Sequence, residues 1–214
     1  MWRVILQGVC GLLFIVVALA APESLTRNED FPANTVYYIV IHHAASGAPD
    51  FALENGGSSA IRDAKGRTKI MTPRGSSLDI SEQEIDVMHR ARGFDEIGYN
   101  YVVRFDGTVE KGRAEDHRGA HARQWDDRGV SYNASSIGIC FAGNCDAARW
   151  TAQQQASGYR LILELMRRYH VPPERVIGHR ECGNDTHCPG MLIDMEKVRD
   201  KLGQLENPLP RAEP

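Results

Sequence analysis

Near the end of this chain an imidazole and a thiol stand nine residues apart, at His179 and Cys188. They lie in Val176-Ile177-Gly178-His179-Arg180-Glu181 and Thr186-His187-Cys188-Pro189-Gly190, with Gly, Asn and Asp between the two segments. Gly, Pro and Asn restrict a loop through their φ preferences, so one rigid loop can hold both groups. Zinc prefers imidazole nitrogen and thiolate sulfur, and a catalytic zinc takes three protein ligands plus a water. A further ligand must then come from far away in sequence. Ile39-Val40-Ile41-His42-His43 is the place to expect it, an apolar run that delivers a His at the end of a strand. Neighbours on a strand face opposite ways, so only one of His42 and His43 can enter a given site. The plain alternative is a Cys182–Cys188 disulfide, and on spacing alone the two readings weigh equally.

Those groups need strands and helices to carry them. Thr35–Ile41 is β-branched and aromatic, as a buried strand requires. Gly98–Phe105 alternates, and Asp106-Gly107 before Thr108–Lys111 signals a hairpin. Ser136–Phe141 and Arg175–Gly178 read as two more strands. Ser81-x-x-Glu84 is a capping-box pattern that opens a helix running to Gly93. Thr151–His170 is the longest helix, closed by Pro172-Pro173, and Asp194–Leu202 is the last. Ser46–Ser77 has no sustained period and is too long for an ordinary connection, so it reads as a surface excursion or a lid. The alternation of strands and helices predicts a single α/β domain, a central mixed sheet flanked by helices, with the site in a surface groove.

With 214 residues, 42% hydrophobic and 25% charged, the chain suits one soluble domain with a real core. A net charge of −3 argues against nucleic acid as a partner. Residues 1–20 combine Arg3, an apolar run from Val4 to Val17 and Ala18-Leu19-Ala20, the layout of a signal peptide. The other reading is an uncleaved membrane anchor, which Gln7 and the Ala-x-Ala ending disfavour. Either way the folded part is expected outside the cytoplasm, secreted or periplasmic. The expected division is signal 1–20, linker 21–33, domain 34–203 and tail 204–214. Exported cysteines can pair. Cys140 looks buried and free, which leaves a Cys145–Cys182 bridge open if Cys188 binds metal, though sequence cannot assign connectivity.

Most of the eight histidines are false leads. His89 and His170 sit on helices and read as structural, while His117 and His187 are ambiguous loop residues. Tyr99 alone is an ordinary strand aromatic, or else a hydroxyl presented to a metal site.

Taken together, Ile41-His42-His43-Ala44, Ile97-Gly98-Tyr99-Asn100-Tyr101, Asp106–Arg113, Gly119-Ala120-His121, Ser136–Ile139 and the Gly178–Gly190 segment occur in an order with a precedent. The set resembles the zinc-dependent N-acetylmuramoyl-L-alanine amidases of the phage T7 lysozyme and peptidoglycan-recognition-protein superfamily. The resemblance covers roughly Asn34 to Leu202. It implies Zn2+ held by His42, His179 and Cys188, with Tyr99 as the catalytic tyrosine. It puts Thr186 where phage members carry Lys and catalytic animal members carry Thr, and it puts His121 in the substrate groove. There His121 is expected to steady the substrate or protonate the leaving amine, and Thr186 to add a donor. The implied reaction cleaves the amide between N-acetylmuramic acid and L-alanine in peptidoglycan or a muropeptide, by a monomer. A non-catalytic peptidoglycan receptor of the same fold is the rival. A purely structural metal, closed by His187 or Cys182, is another. Two departures stand out: the His179–Cys188 interval is one residue longer than in the phage and animal members, and the Ser46–Ser77 insertion is longer than typical.

Overall fold

The structure is a computed structural model, described here for residues 36–47, 77–183 and 185–207. Its strands are β1 (Tyr38–His43), β2 (Tyr101–Val103), β3 (Val109–Lys111), β4 (Ser136–Phe141) and β5 (Val176–Gly178). They form one sheet in the order β3-β2-β4-β1-β5. β1 is central, parallel to β4 on one side and to β5 on the other. β2 runs parallel to β4, and β3 pairs antiparallel with β2 across the Asp106-Gly107 turn. Gly107 takes a φ of 85°, which a side chain would resist. The mixed sheet is the one the alternation predicted.

The central strands are apolar because both their faces are covered. All of β4 and all but Tyr38 of β1 are buried. Odd-numbered Ile39, Ile41, Ile137, Ile139 and Phe141 pack with Leu161, Ile162, Leu165 and Leu202 in the main core. Each such side chain stabilises by about 1.5–3 kcal/mol when fully buried. Even-numbered Val102 and Cys140 face Ile80, Ile85 and Ile97, while Val40 meets Ala122, Tyr132 and Cys182. The sheet therefore has two unlike sides.

Helix α1 (Glu82–Ala91) covers the even side and starts with the capping box, Ser81 and Glu84 each serving the other's backbone N–H. A four-residue helix, α2 (Tyr132–Ser135), leads directly into β4 and was not foreseen. Helix α3 (Ala152–Tyr169) has its own box from Thr151 and Gln154, and ends at His170 in the left-handed region. Helix α4 (Met195–Glu206) runs past the expected end at Leu202, since no proline stops it before Pro208.

The segment 48–76 lies outside the described residues, as do 1–35, so the expected excursion and export signal are not visible here. Its flanks are visible and meet: Leu78 N–H donates to Ser46 O at 3.0 Å, and Ser46 Oγ donates to Leu78 O. The chain leaves and re-enters at one point beside β1. Among the described residues no helix is long and apolar enough to cross a membrane.

Cys140 is buried and free as expected, and the Cys145–Cys182 bridge that the sequence left open is not formed. Cys140, Cys145, Cys182 and Cys188 are all free and buried. Cys145 belongs to the odd-side core and Cys182 to the even side, so the sheet itself keeps that pair apart. The alternative Cys182–Cys188 disulfide is absent too.

Candidate metal centre

His42 is the penultimate residue of β1, and pairs with Cys140 on β4. Strand alternation turns its ring to the even side and His43 to the odd side. There His43 Nδ1 accepts the Cys145 N–H at 2.9 Å. One strand end thus provides a site group and a brace. β5 ends at Gly178, so His179 emerges beside β1, and the rings of His42 and His179 lie 4.5 Å apart, centre to centre.

Cys188 is brought back by its loop. Arg180 N–H donates to Cys188 O at 2.8 Å, and the Arg180 guanidinium donates to the carbonyls of His187, Gly190 and Ile193. Glu181 accepts the Gly178 N–H and pairs with Arg199 of α4 at 3.0 Å. A Cβ on Gly178 would stand 2.7 Å from Pro189 Cδ, and one on Gly190 would stand 2.5 Å from Cys145. Glycine at both positions lets the Cys188 turn close onto the sheet. Arg180 was quoted within the Gly-His-Arg motif and given no role; a cation next to a ligand in a carbonyl-rich loop is the signal that could have found it.

Three side chains meet as a result. One ligand atom each from His42, His179 and Cys188 all lie within 4.8 Å of one another. Cys188 Sγ is 3.6 Å from His42 Nδ1. Zn–N near 2.05 Å and Zn–S near 2.3 Å at a tetrahedral angle put N and S roughly 3.6 Å apart. A thiol hydrogen bond has the same length, so the third donor, His179, makes the difference. Two imidazoles and a sulfur fit zinc. Among the described residues neither Cys182 nor His187 joins this group.

Electrostatics agree with a site built for a cation. Burial pushes His42 well below 6.5, with His179 and His121 adding to the effect, and it holds His179 down at about 4. Both imidazoles are therefore neutral and able to donate lone pairs. Burial, with the Asp146 charge adding to it and Arg180 opposing it, pushes the Cys188 thiol up to about 12, and a divalent ion reverses that by binding the thiolate.

Tyr99 lies just before β2. There the Asn100 backbone still pairs, its N–H donating to Gly138 O and its C=O accepting from Gly112 N–H. The Asn100 amide adds to that pairing. Its Nδ2 donates to Arg113 O and Ala114 O, and its Oδ1 accepts from Gly138 N–H. The Tyr99 ring packs with the even-side cluster, 5.0 Å from the ring of His42. Burial raises its phenol well above 10, so it stays protonated. His121 Nδ1 is 3.0 Å from His42 Nε2. Thr186 is half-buried, and its Oγ1 accepts the Cys188 N–H at 3.2 Å, bracing the loop. A cleft of about 490 Å³ adjoins the group, lined by Arg92, Phe94, Tyr99, His121, Arg123 and His179. A larger cavity of about 610 Å³ by Phe105 and Trp150 touches none of the expected site residues.

The sequence pattern of the N-acetylmuramoyl-L-alanine amidases matches residues 32–191. The chain belongs to this family. It is 35% identical over 188 residues to peptidoglycan-recognition protein SC2 of Drosophila simulans, covering 87% of this chain and 85% of that one. It is 32% identical over 119 residues to the endolysin of Enterobacteria phage K11, covering 53% of this chain and 72% of the endolysin. Among solved structures, the N-acetylmuramoyl-L-alanine amidase LysC of Clostridium intestinale superposes with a TM-score of 0.56 at 25% identity, covering 82% of this chain and 95% of that one. For this amidase-family chain the chemistry narrows to peptidoglycan, by amide cleavage or by binding.

Proposed function

We propose that the chain is a zinc-dependent hydrolase of the amide between N-acetylmuramic acid and the L-alanine of the stem peptide. One observation carries the reading: two neutral imidazoles and a thiol converge on a single point, and one of them, His179, lines a cleft. A zinc ion there supplies Lewis acidity that polarises a carbonyl and activates water. His42, His179 and Cys188 would hold it with a net charge of +1. Tyr99, kept as a phenol, donates a hydrogen bond to the oxyanion that develops on the scissile carbonyl. Thr186 still has its hydroxyl proton to give while its oxygen holds the loop. Arg92 and Arg123 at the cleft rim offer charge to the carboxylates of a stem peptide. Residues 1–20 act as an export signal, placing the mature chain where peptidoglycan is found.

The test is to incubate the zinc-loaded mature protein with purified muropeptides and weigh the products. Free stem peptide and a lactyl acid, together heavier than substrate by one water, support the reading. Muropeptide bound and recovered intact overturns it in favour of a receptor, the reading that the recognition-protein relative favours.

A further inference from the structure

Both ring nitrogens of His42 are engaged, Nδ1 towards Cys188 Sγ at 3.6 Å and Nε2 towards His121 Nδ1 at 3.0 Å. The His121 ring is seated with unusual care. Asn133 Oδ1 accepts both the His121 N–H at 2.8 Å and the Ala122 N–H at 2.7 Å, fixing the backbone that carries it. A Cβ on Gly138 of β4 would stand 2.6 Å from the ring, and one on Gly119 would stand 2.7 Å from it. Two glycines and an asparagine from separate parts of the chain thus make room for one imidazole. Residue 121 is 9% exposed, a poor placement for a group that only meets substrate.

The proton positions follow from the geometry. To offer its Nδ1 lone pair to a cation, His42 must carry its proton on Nε2. That N–H then donates to His121 Nδ1, and His121 carries its own proton on Nε2. Ligating histidines usually give this second N–H to a carboxylate, a backbone carbonyl or water. A neutral imidazole does the same work and adds no negative charge, so the cation stays more electrophilic.

We infer that His121 is a positioning residue that sets the ring orientation and tautomer of His42 for metal binding. This rests on the metal reading above and replaces a purely substrate-side role for His121. The experiment compares wild type with His121→Asn, which keeps an acceptor near the Nδ1 position, and His121→Phe, which fills the ring's space without one. Zinc affinity is read by competition with a chromophoric chelator, and folding by the melting temperature of each metal-free protein. With melting unchanged, His121→Phe is expected to bind zinc about 10–100-fold more weakly, and His121→Asn to stay close to wild type. Two results overturn the inference: His121→Phe binding zinc as tightly as wild type, or His121→Asn binding as weakly as His121→Phe. A wild-type protein that binds no zinc sinks the metal reading along with it.

Discussion

At the residue scale, the sharpest prediction concerns the Tyr99 hydroxyl. Replacing Tyr99 by Phe keeps the ring against His42 and removes one donor. Losing such a donor costs about 2.7–4 kcal/mol of barrier, or about 100–1,000-fold in turnover. Zinc content should be unchanged, and steady-state kinetics beside metal analysis on the same preparation check both halves. Equal turnover would return Tyr99 to the role of a plain aromatic. Much at this scale was legible, since His, Cys and Tyr have side chains whose chemistry declares itself by type and spacing. Arg180 was not legible, because its partners are backbone carbonyls, and any residue type can supply those. The hydrogen bond from His42 to His121 was hidden for another reason. It depends on two ring orientations, and those are set by Asn133, Gly119 and Gly138.

At the element scale, the join between β5 and the Cys188 loop is the sensitive point. Gly178→Ala puts a methyl 2.7 Å from Pro189 Cδ and 3.1 Å from Met195 Cγ. Overpacking of this kind destabilises by about 1–3 kcal/mol, and the displaced loop should loosen zinc as well. Denaturant melts and chelator competition test this together. Wild-type values for both would mean the loop has slack. Helix α1 is tied to the segment before β2 by His89, whose Nδ1 accepts the Gly98 N–H at 2.9 Å. Burial holds this imidazole down at about 4, against the usual 6.5. The unfolded chain takes up that proton at higher pH than the folded one does. Stability is therefore full above about pH 6.5 and declines as pH falls towards 4, by at most about 1.4 kcal/mol per unit for this group. His89→Asn keeps an acceptor that does not titrate, so its melting temperature should fall less steeply across that window. An identical slope would remove His89 as a cause. The strands and both capping boxes followed from apolar runs and Ser/Thr-x-x-Glu/Gln spacing, while the order of the strands in the sheet did not. Short α2 did not, as four residues carry no readable period.

At the scale of the whole molecule, the sheet partitions the chemistry. His42 and its partners occupy the even side, and the large apolar core occupies the odd side. The same partition explains why the Cys145–Cys182 bridge that the sequence left open is not formed: the two thiols belong to cores on opposite sides of the sheet. Alkylating the denatured protein without reduction should label Cys140, Cys145, Cys182 and Cys188. An unlabelled pair would show a disulfide and a different loop arrangement. The convergence of His42, His179 and Cys188, from β1 and from the chain that follows β5, is a property of this topology, and the proposed metal site rests on it. X-ray absorption at the zinc edge, on the zinc-loaded mature protein, measures it most directly. The expected signal is one zinc per chain with two nitrogens near 2.0–2.1 Å, one sulfur near 2.3 Å and one further light atom. No retained zinc, or a zinc shell without sulfur, would contradict it.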